Sequence, residues 1–390
     1  MCVNKGFNSI SISMVMMIVL LLAAPETFAN WGYNMPRGVT PLSHDIYWLH
    51  MTIFWICVAI GIVVFSMLAY ALVMHRKSRG HQASEFHEHL LLEILWAVIP
   101  FLILVAMAVP ATIVLFKTHD ESNSDITIKV TGYQWKWKYD YLDQGISYFS
   151  NLSTPLDQIH NREPKGEYYL REVDKPLVVP IHKKIRFLIT ANDVIHSWWV
   201  AELGIKTDAI PGFIHEAWAR IDKPGIYRGQ CAELCGVNHA YMPIVVVAVT
   251  EEDFAKWIKE NMPNKAAAAQ AAAALTKKWT KDDLLATGKK IYETTCSVCH
   301  QLDGSGLPPT FPAMRGSKIA TGPVAEHIKT VLRGRTGTAM QPFGLQLSDQ
   351  DIAAVITYER NSFGNNDVNK YGNEAGGVVQ PADVEALRGK

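Results

Sequence analysis

The chain has 390 residues, and its 37 lysines and arginines balance its 37 aspartates and glutamates. This balance argues against nucleic acid as a partner, because nucleic-acid-binding domains concentrate positive charge on one face. A chain of this length is expected to hold two or three domains, and it shows no evident internal repeat. We therefore expect a multidomain protein whose parts differ in composition.

The N-terminal segment has the pattern of a secretory signal peptide. Lys5 precedes an apolar run from Ile10 to Ala24, and Ala29 is a small residue at a suitable cleavage position. A true membrane anchor is the alternative, but the run is short for a spanning helix and is followed by Pro25. We expect residues 1–29 to be the signal peptide, with export of the segment that follows.

Two long apolar stretches predict a transmembrane hairpin within residues 30–120. The stretches from Met51 to Met74 and from Leu90 to Phe116 can each cross a hydrocarbon core of about 30 Å. The predicted helices, surrounded by lipid, cover about 48–74 and 90–116. The connection from His75 to Arg79 carries the cationic excess that marks the cytoplasmic side, so both ends of the hairpin face outward.

Glu93 is the only acidic residue within the two spans. An ionisable group in a membrane helix is costly and is by default a functional candidate. Its position near the cytoplasmic end also allows the simpler reading that the carboxylate reaches the interface. Pro100 and Pro110 in the same helix free backbone carbonyls that neighbouring helices can satisfy, so a partner subunit is expected.

Residues 121–260 are expected to form an all-β domain. Short β-rich runs separated by Gly, Pro and Asn turns are typical of a sandwich or barrel. The runs are Ile126 to Tyr133, Leu177 to Ile181, Lys184 to Thr190 and Ile244 to Val249. The odd-numbered spacing of one aromatic series predicts a shared strand face; the series is Tyr133, Trp135, Trp137, Tyr139 and Tyr141. The stretch 145–166 is polar without clear periodicity, and we read it as an insertion of unassigned role.

A dense set of metal-ligating side chains lies near the end of this domain. The stretch reads Cys231-Ala-Glu-Leu-Cys235-Gly-Val-Asn-His239-Ala-Tyr-Met242. Soft sulfur ligands with imidazole select copper or zinc over hard cations. The cysteine pair alone is equally consistent with a disulfide or, with His239, a zinc site. Met242 and the upstream His196 favour copper, because a weak axial methionine is normal at electron-transfer copper and unnecessary for structural zinc.

A second redox motif follows in Cys296-Ser-Val-Cys299-His300, the attachment sequence of a c-type haem. The same spacing occurs in zinc proteins, but no second CxxC follows here to complete a four-cysteine site. His300 would supply the proximal iron ligand. Met314 and Met340 compete for the other axial position.

The haem motif lies in a predicted all-α domain over residues 280–363. A helix from Asp282 to Tyr292 leads into the motif, and Ser348 caps a later helix. An alanine-rich linker, residues 261–279, precedes this domain; its composition favours a semi-rigid helix that keeps haem near the copper site at high effective concentration. Residues 364–390 are predicted to be a polar tail. Two electron carriers on one chain make electron transfer the leading function.

Taken together, these motifs resemble subunit II of the cytochrome c oxidases of the haem-copper superfamily, in the caa-type version with a fused C-terminal cytochrome c domain. The resemblance covers nearly the whole chain and includes Gln134-Trp135-Lys136-Trp137 and the stretch from Leu203 to Gly212. It implies a two-helix transmembrane hairpin, an all-β cupredoxin Greek-key domain and an all-α class I cytochrome c domain. It also implies the bacterial inner membrane, with the copper and haem domains on the periplasmic side.

The resemblance implies roles for individual residues. The ligands of a binuclear copper A centre would be His196, Cys231, the carbonyl of Glu233, Cys235, His239 and Met242. The Glu233 carboxylate would bind magnesium shared with subunit I. Trp135 would lie over the copper centre where electrons enter, and Glu93, three residues before Trp96, would lie at the mouth of a proton pathway. Met340, before a Pro-Phe-Gly stretch, would be the distal haem ligand, and Met314 would pack against the porphyrin.

The sequence therefore predicts the subunit through which electrons enter a terminal respiratory oxidase. Electrons would pass from cytochrome c or another periplasmic donor through haem c and copper A to haem in subunit I, where oxygen is reduced to water and protons are pumped. Expected partners are subunit I, subunit III and a copper assembly chaperone. One alternative is the copper A subunit of a nitric oxide or nitrous oxide reductase, which the hairpin with Glu93 disfavours. The other is a metal-free, quinol-oxidase-like structural subunit, which the complete set of copper positions disfavours.

Overall fold

The computed structural model describes residues 34–80, 82, 87–262, 277–335, 338–344 and 346–388. The predicted signal peptide and most of the alanine-rich linker lie outside the described residues. From Gly38 onward the chain forms one compact unit. This unit contains an apolar helical hairpin, a β domain and a helical lobe that carries the haem motif.

The hairpin consists of two long helices, α1 (Pro41–Met74) and α2 (Leu90–Thr118). Both are long and apolar enough to cross a membrane, and most of their apolar side chains are exposed in the isolated chain. Helix α1 begins at Pro41, ahead of the start expected near residue 48, because Thr40 and Ser43 form a capping box that satisfies the first backbone N–H groups.

The hairpin is attached to the β domain at both of its ends. The Thr40 hydroxyl donates to the Leu203 carbonyl (3.0 Å) at the start of α1. At the end of α2, the Trp218 indole donates to the Lys117 carbonyl (2.9 Å), and the Lys117 ammonium pairs with Asp45 of α1 (2.7 Å). These contacts fix the hairpin against the β domain at two separate points.

Residues 121–260 form two five-stranded sheets, in the orders β3-β2-β1-β5-β8 and β4-β10-β9-β6-β7. The strands are β1 (Ile126–Tyr133), β2 (Lys136–Tyr141), β3 (Ile146–Ser150), β4 (Leu177–Pro180), β5 (Lys184–Ala191), β6 (His196–Val200), β7 (Ile205–Ala209), β8 (His215–Arg220), β9 (Gly225–Cys231) and β10 (Pro243–Val249). Two short helices, α3 (Leu156–Ile159) and α4 (Glu251–Asn261), complete the domain. Alternate residues of the strands, such as Ile128, Val130, Phe187 and Ile189, fill the core between the sheets.

The prediction that five aromatic residues share one strand face is wrong for two of them. Tyr133 ends β1 and Trp135 lies in the turn before β2, so the strand breaks in the middle of the series. Trp137, Tyr139 and Tyr141 do alternate on one face of β2, and all three are fully buried. Residues at alternate positions share one face only as long as they belong to the same continuous strand.

The stretch 145–166, which shows no periodicity in the sequence, contributes an edge strand and a helical turn. Strand β3 pairs with β2, with Phe149 opposite Lys138. Beyond it, Asp174 accepts from the backbone and side-chain amides of Asn151 (2.7 and 2.9 Å). The stretch is therefore built into the sheet edge, and it lacks a two-residue period because only Ile146 and Ser150 of the five strand residues are buried.

The helical lobe contains seven helices in its described part. They are α5 (Lys281–Ile291), α6 (Ser297–His300), α7 (Lys318–Thr321), α8 (Val324–Arg333), α9 (Asp349–Asn361), α10 (Val368–Tyr371) and α11 (Pro381–Arg388), with a π-helical turn over Tyr292–Cys296. Helices α5 and α9 cross closely at Gly288, where an added Cβ would overlap the Ala354 carbonyl. Glycine at this position permits the crossing.

Residues 364–390, predicted to be a polar tail, instead complete the lobe as far as they are described. Val379 and Val384 are fully buried in its apolar core. The buried Arg360 donates to the Gly376 carbonyl (2.6 Å), and Arg388 pairs with Asp349 (2.7 Å). The prediction of a polar tail is wrong because two buried valines and a few charged contacts are enough to dock a short helix of polar composition.

Candidate metal and haem sites

Two strands and one loop of the β domain bring the predicted copper ligands together. His196 begins β6, Cys231 ends β9, and the pairing of β6 with β9 places Trp198 opposite Cys231. The loop from Cys231 to β10 then returns Cys235, His239 and Met242 to the same place. Apart from the half-buried His239, these ligand residues are buried.

The side chains converge around the two cysteine sulfurs. The Sγ atoms lie 3.9 Å apart with no disulfide between them. Cys231 Sγ lies 4.0 Å from His196 Nδ1 and 3.4 Å from the Glu233 carbonyl oxygen. Cys235 Sγ lies 3.6 Å from both His239 Nδ1 and Met242 Sδ. Each sulfur therefore has an imidazole beside it and one further donor.

This donor set fits two copper ions better than one zinc ion. A structural zinc site takes four ligands in a tetrahedron, whereas here four donors surround the two sulfurs, which makes six donors in all. Thiolate, imidazole and thioether ligands suit copper. The residues present thus fit the copper centre that the sequence predicts.

The two thiols of the site share a hydrogen bond. This bond lowers the pKa of Cys231 well below its usual range and, together with burial, raises the pKa of Cys235. The lowered pKa favours the thiolate form of Cys231, and the thiolate is the form that binds metal. The second proton must leave when the metal is bound.

His196 is held in place by residues for which the sequence predicts no role. Asp193 Oδ1 lies 2.9 Å from His196 Nε2, which directs Nδ1 towards Cys231. Its other carboxylate oxygen accepts from the Gln134 backbone N–H (2.7 Å). A Cβ at Gly132 would lie 2.8 Å from His196 Cδ2, so glycine is needed for this approach. Only the proximity of Asp193 to His196 in the sequence could have indicated this support.

Trp135 contacts the copper loop directly. Its indole Nε1 donates to the Cys235 carbonyl oxygen (3.2 Å), and the Gln134 side-chain amide donates to the same oxygen (2.9 Å). Gly236 follows with φ of +118°, and a Cβ there would lie 2.9 Å from the indole ring. Trp135, the predicted residue of electron entry, is therefore hydrogen-bonded to Cys235, a predicted copper ligand.

Glu233 places its carbonyl at the copper site and its exposed side chain in an open depression. The residues that line this depression are His119, Glu121, Lys206, Thr207, Asp208, Ile214, His215, Glu216 and Glu233. Several of them are carboxylates, which are ligands that magnesium prefers. In contrast, Glu93 has a local contact in α2, where its carboxylate accepts from the His89 N–H (3.2 Å).

The haem motif lies at the end of the first long helix of the lobe. His300 Nδ1 donates to the Pro312 carbonyl (2.8 Å), which orients the ring and leaves Nε2 for iron. Cys296 and Cys299 are free and half-buried. Burial raises the pKa of Cys299 to about 11 and raises that of Cys296 strongly. Both are therefore thiols at neutral pH, ready for covalent attachment of haem.

Both candidate axial methionines contact the same apolar core of the lobe. Met314 is buried, and its carbonyl accepts from the Asn365 side chain (3.2 Å). Met340 is half-buried and packs against the surface of that core. The Met340 carbonyl accepts from the Arg335 N–H (2.9 Å), which fixes the backbone of its loop. Both methionines therefore remain candidates for the second axial ligand opposite His300.

The fold and the two sites define a membrane-anchored protein with a cupredoxin-like domain and a C-terminal cytochrome c domain. The family model for the cytochrome c oxidase subunit II periplasmic domain matches residues 126–249, and that for its transmembrane domain matches residues 28–114. The model for subunit III of cbb3-type cytochrome c oxidase matches residues 283–358.

Two sequence relatives agree with these matches. The probable cytochrome c oxidase subunit 2 of Rickettsia prowazekii is 38% identical over 260 residues, covering 64% of this chain and 82% of the relative. Cytochrome c oxidase subunit 2 of Cereibacter sphaeroides is 38% identical over 242 residues, covering 59% and 80%. The solved periplasmic domain of cytochrome oxidase subunit II from Bradyrhizobium japonicum is 38% identical, covering 36% of this chain and 94% of that chain, with a TM-score of 0.32.

The chain belongs to the cytochrome c oxidase subunit II family and carries a fused cytochrome c domain. It is thus a subunit of an oxidase complex, and its two apolar helices belong to the membrane part of that complex. The predicted multidomain fold class is confirmed.

Proposed function

We propose that this chain is the subunit through which electrons enter a terminal respiratory oxidase that pumps protons. A reduced cytochrome c or another periplasmic donor would deliver electrons to haem c on Cys296 and Cys299. They would continue through copper A to haem in subunit I, where oxygen is reduced to water. The subunit family and the cytochrome c domain support this role for the complex.

The convergence of the copper donors in one buried site carries the proposal. The proposed ligands are His196, Cys231, the Glu233 carbonyl, Cys235, His239 and Met242. Two copper ions held by these residues would share the transferred charge, so that each metal–ligand bond would change little. Asp193 and Gly132 hold His196, and the Trp137 indole donates to the Met242 carbonyl (3.2 Å). These supports keep the ligands from moving when the charge changes, which favours fast electron transfer.

The surroundings of the copper loop support roles for two further residues. The Trp135 indole is hydrogen-bonded to the Cys235 carbonyl, which supports its proposed role as the residue through which electrons enter the site. The exposed Glu233 carboxylate would bind magnesium, with its remaining ligands from subunit I and water. Insertion of copper into an exported thiol pair would need an assembly chaperone, because the compartment is oxidising. Contact with subunit III completes the proposed assembly.

Glu93 is proposed to lie at the mouth of a proton pathway into subunit I. Glu93→Gln keeps an oxygen that can accept from the His89 N–H, so the helix start should remain intact. We expect slower proton uptake and turnover in the assembled enzyme, because the amide cannot release a proton. Glu88→Gln, on the segment just before α2, is the matched control. Unchanged uptake in Glu93→Gln would leave Glu93 with only its helix-capping contact.

The proposed function is tested by oxygen uptake of the intact, detergent-purified complex with reduced cytochrome c as donor. We expect rapid uptake that cyanide inhibits. A complex that retains its copper and haem but takes up no oxygen would contradict the proposal. Reduction of nitric or nitrous oxide by that complex would then assign the subunit to a nitrogen-oxide reductase.

A further inference from the structure

The cytochrome lobe touches the β domain at the turn that carries Trp135. The side-chain amide of Gln341 donates to the backbone carbonyl of Gln134 (2.6 Å), although the two residues are 207 positions apart. Gln341 directly follows Met340, the proposed haem ligand. The contact therefore joins the loop of the proposed iron ligand to the turn above the copper site.

Lys136, the first residue of β2, makes a second contact between the two domains. Its ammonium lies 5.1 Å from the ring centroid of Phe149 on β3 and 5.9 Å from that of Phe343 in the cytochrome lobe. A cation within about 6 Å of an aromatic ring centroid is attracted to the ring. Burial lowers the pKa of Lys136 to about 8, so the protonated ammonium form still predominates at neutral pH. The ammonium thus bridges a ring of each domain.

The Gln341 amide is oriented by its own loop. The Gln346 side-chain nitrogen donates to Gln341 Oε1 (2.9 Å) and to the Pro342 carbonyl (3.0 Å). With its oxygen thus occupied, the Gln341 NH2 group faces the β domain. The orientation of this donor is therefore set by contacts within its own loop.

Gln134 links the two sides of the contact. Its backbone carbonyl accepts from Gln341, and its side-chain amide donates to the carbonyl of Cys235 (2.9 Å). A short series of bonded residues thus leads from the Met340 loop to a proposed copper ligand. Trp135 lies beside this series and donates to the same Cys235 oxygen.

We propose that Gln341 and Lys136 are positioning residues that dock the chain's own cytochrome lobe onto the Trp135 turn. This inference rests on the proposed function. In the docked arrangement one electron would pass from haem c in the cytochrome lobe to copper through the turn that holds Gln134 and Trp135, with no proton transferred and no bond broken. An external cytochrome would then contact the fused cytochrome lobe, because the docked lobe covers the turn that carries Trp135.

The test uses the intact purified complex with Lys136→Met and Gln341→Glu as separate variants. The first removes the charge but keeps an apolar chain; the second replaces an amide donor by an acceptor opposite the Gln134 carbonyl. Lys138→Met is the matched control, because Lys138 is on the same strand and pairs with Asp140 (2.8 Å). The absorption spectra of the copper and haem centres must match those of the unmodified complex.

Two measurements are made on each variant. Hydrogen–deuterium exchange is followed in the opposite domain: at residues 134–136 for Gln341→Glu and at residues 338–344 for Lys136→Met. The rate of electron transfer from flash-reduced haem c to copper is then measured. We expect faster hydrogen–deuterium exchange at both segments. We also expect roughly tenfold slower electron transfer, which corresponds to the loss of one desolvated cation–π contact or of one hydrogen bond to an oriented partner.

Unchanged exchange and unchanged transfer in both interface variants would overturn the docking role. Faster exchange with an unchanged transfer rate would overturn the delivery of electrons across this contact. Absence of transfer from haem c to copper in the unmodified complex would instead contradict the proposed function itself. The control Lys138→Met is expected to match the unmodified complex in both measurements.

Discussion

Cys235→Ser is expected to abolish the copper centre and to stop oxygen uptake from reduced cytochrome c. Cys235 Sγ is within 4 Å of the second cysteine, His239 and Met242, so its loss removes the atom around which these donors are arranged. Loss of a residue that merely orients a metal ligand costs 10–100-fold in affinity or activity, so we expect more than about 100-fold here. Copper content per haem c, together with the copper absorption bands, measures the loss.

Cys57→Ser is the matched control for this substitution. Cys57 is a free, exposed cysteine on α1, and its replacement should leave copper content and oxygen uptake unchanged. Asp193→Asn provides an intermediate case, because it weakens the contact that orients His196 but keeps every ligand. A full copper content in Cys235→Ser would show that the metal is held elsewhere.

Met340→Ala is expected to remove the distal ligand of the haem iron, whereas Met314→Ala should keep it. Methionine ligation raises the reduction potential of haem, so Met340→Ala should lower that potential. The low-spin absorption spectrum should be lost, and electron transfer from haem c to copper should be slower. Met314 is buried, and its truncation should cost about 2–5 kcal/mol of lobe stability through the cavity it leaves. Visible spectra and a potentiometric titration of the purified complex distinguish the two effects.

The opposite result would reassign the iron ligand. A low-spin haem of unchanged potential in Met340→Ala, with loss of that spectrum in Met314→Ala, would make Met314 the ligand. The Met340 loop would then serve only the contact with the β domain. The stability of each variant must be measured separately, because loss of haem through unfolding also changes the spectrum.

The sequence predicted the fold well where burial is periodic. The apolar run from Ile126 to Tyr133 coincides with β1, and Ser348 caps α9 as predicted. Both signals are local: alternation follows from the geometry of a strand, and a capping hydroxyl acts within one turn of a helix. The predicted copper ligands also lie together, but 35 residues separate His196 from Cys231 and only the pairing of β6 with β9 brings them into contact.

Features without periodicity could not be predicted from the sequence. The turn at Gln134 and Trp135 interrupts an aromatic series that otherwise suits a continuous strand. The docking of Val379 and Val384 depends on a pocket formed by distant helices. The contact of Gln341 with Gln134 joins two polar residues on irregular segments, a pair for which sequence patterns provide no signal.

The two attachments of the hairpin to the β domain have a consequence for assembly. A single hydrogen bond would leave the domain free to swivel above the bilayer, but bonds at Leu203 and at Trp218 remove that rotation. The distance of the copper site from the membrane and its orientation are therefore set by contacts within this one chain. The face that bears Glu233 is presented in a fixed direction before another subunit arrives, so less orientational entropy is lost when the complex forms.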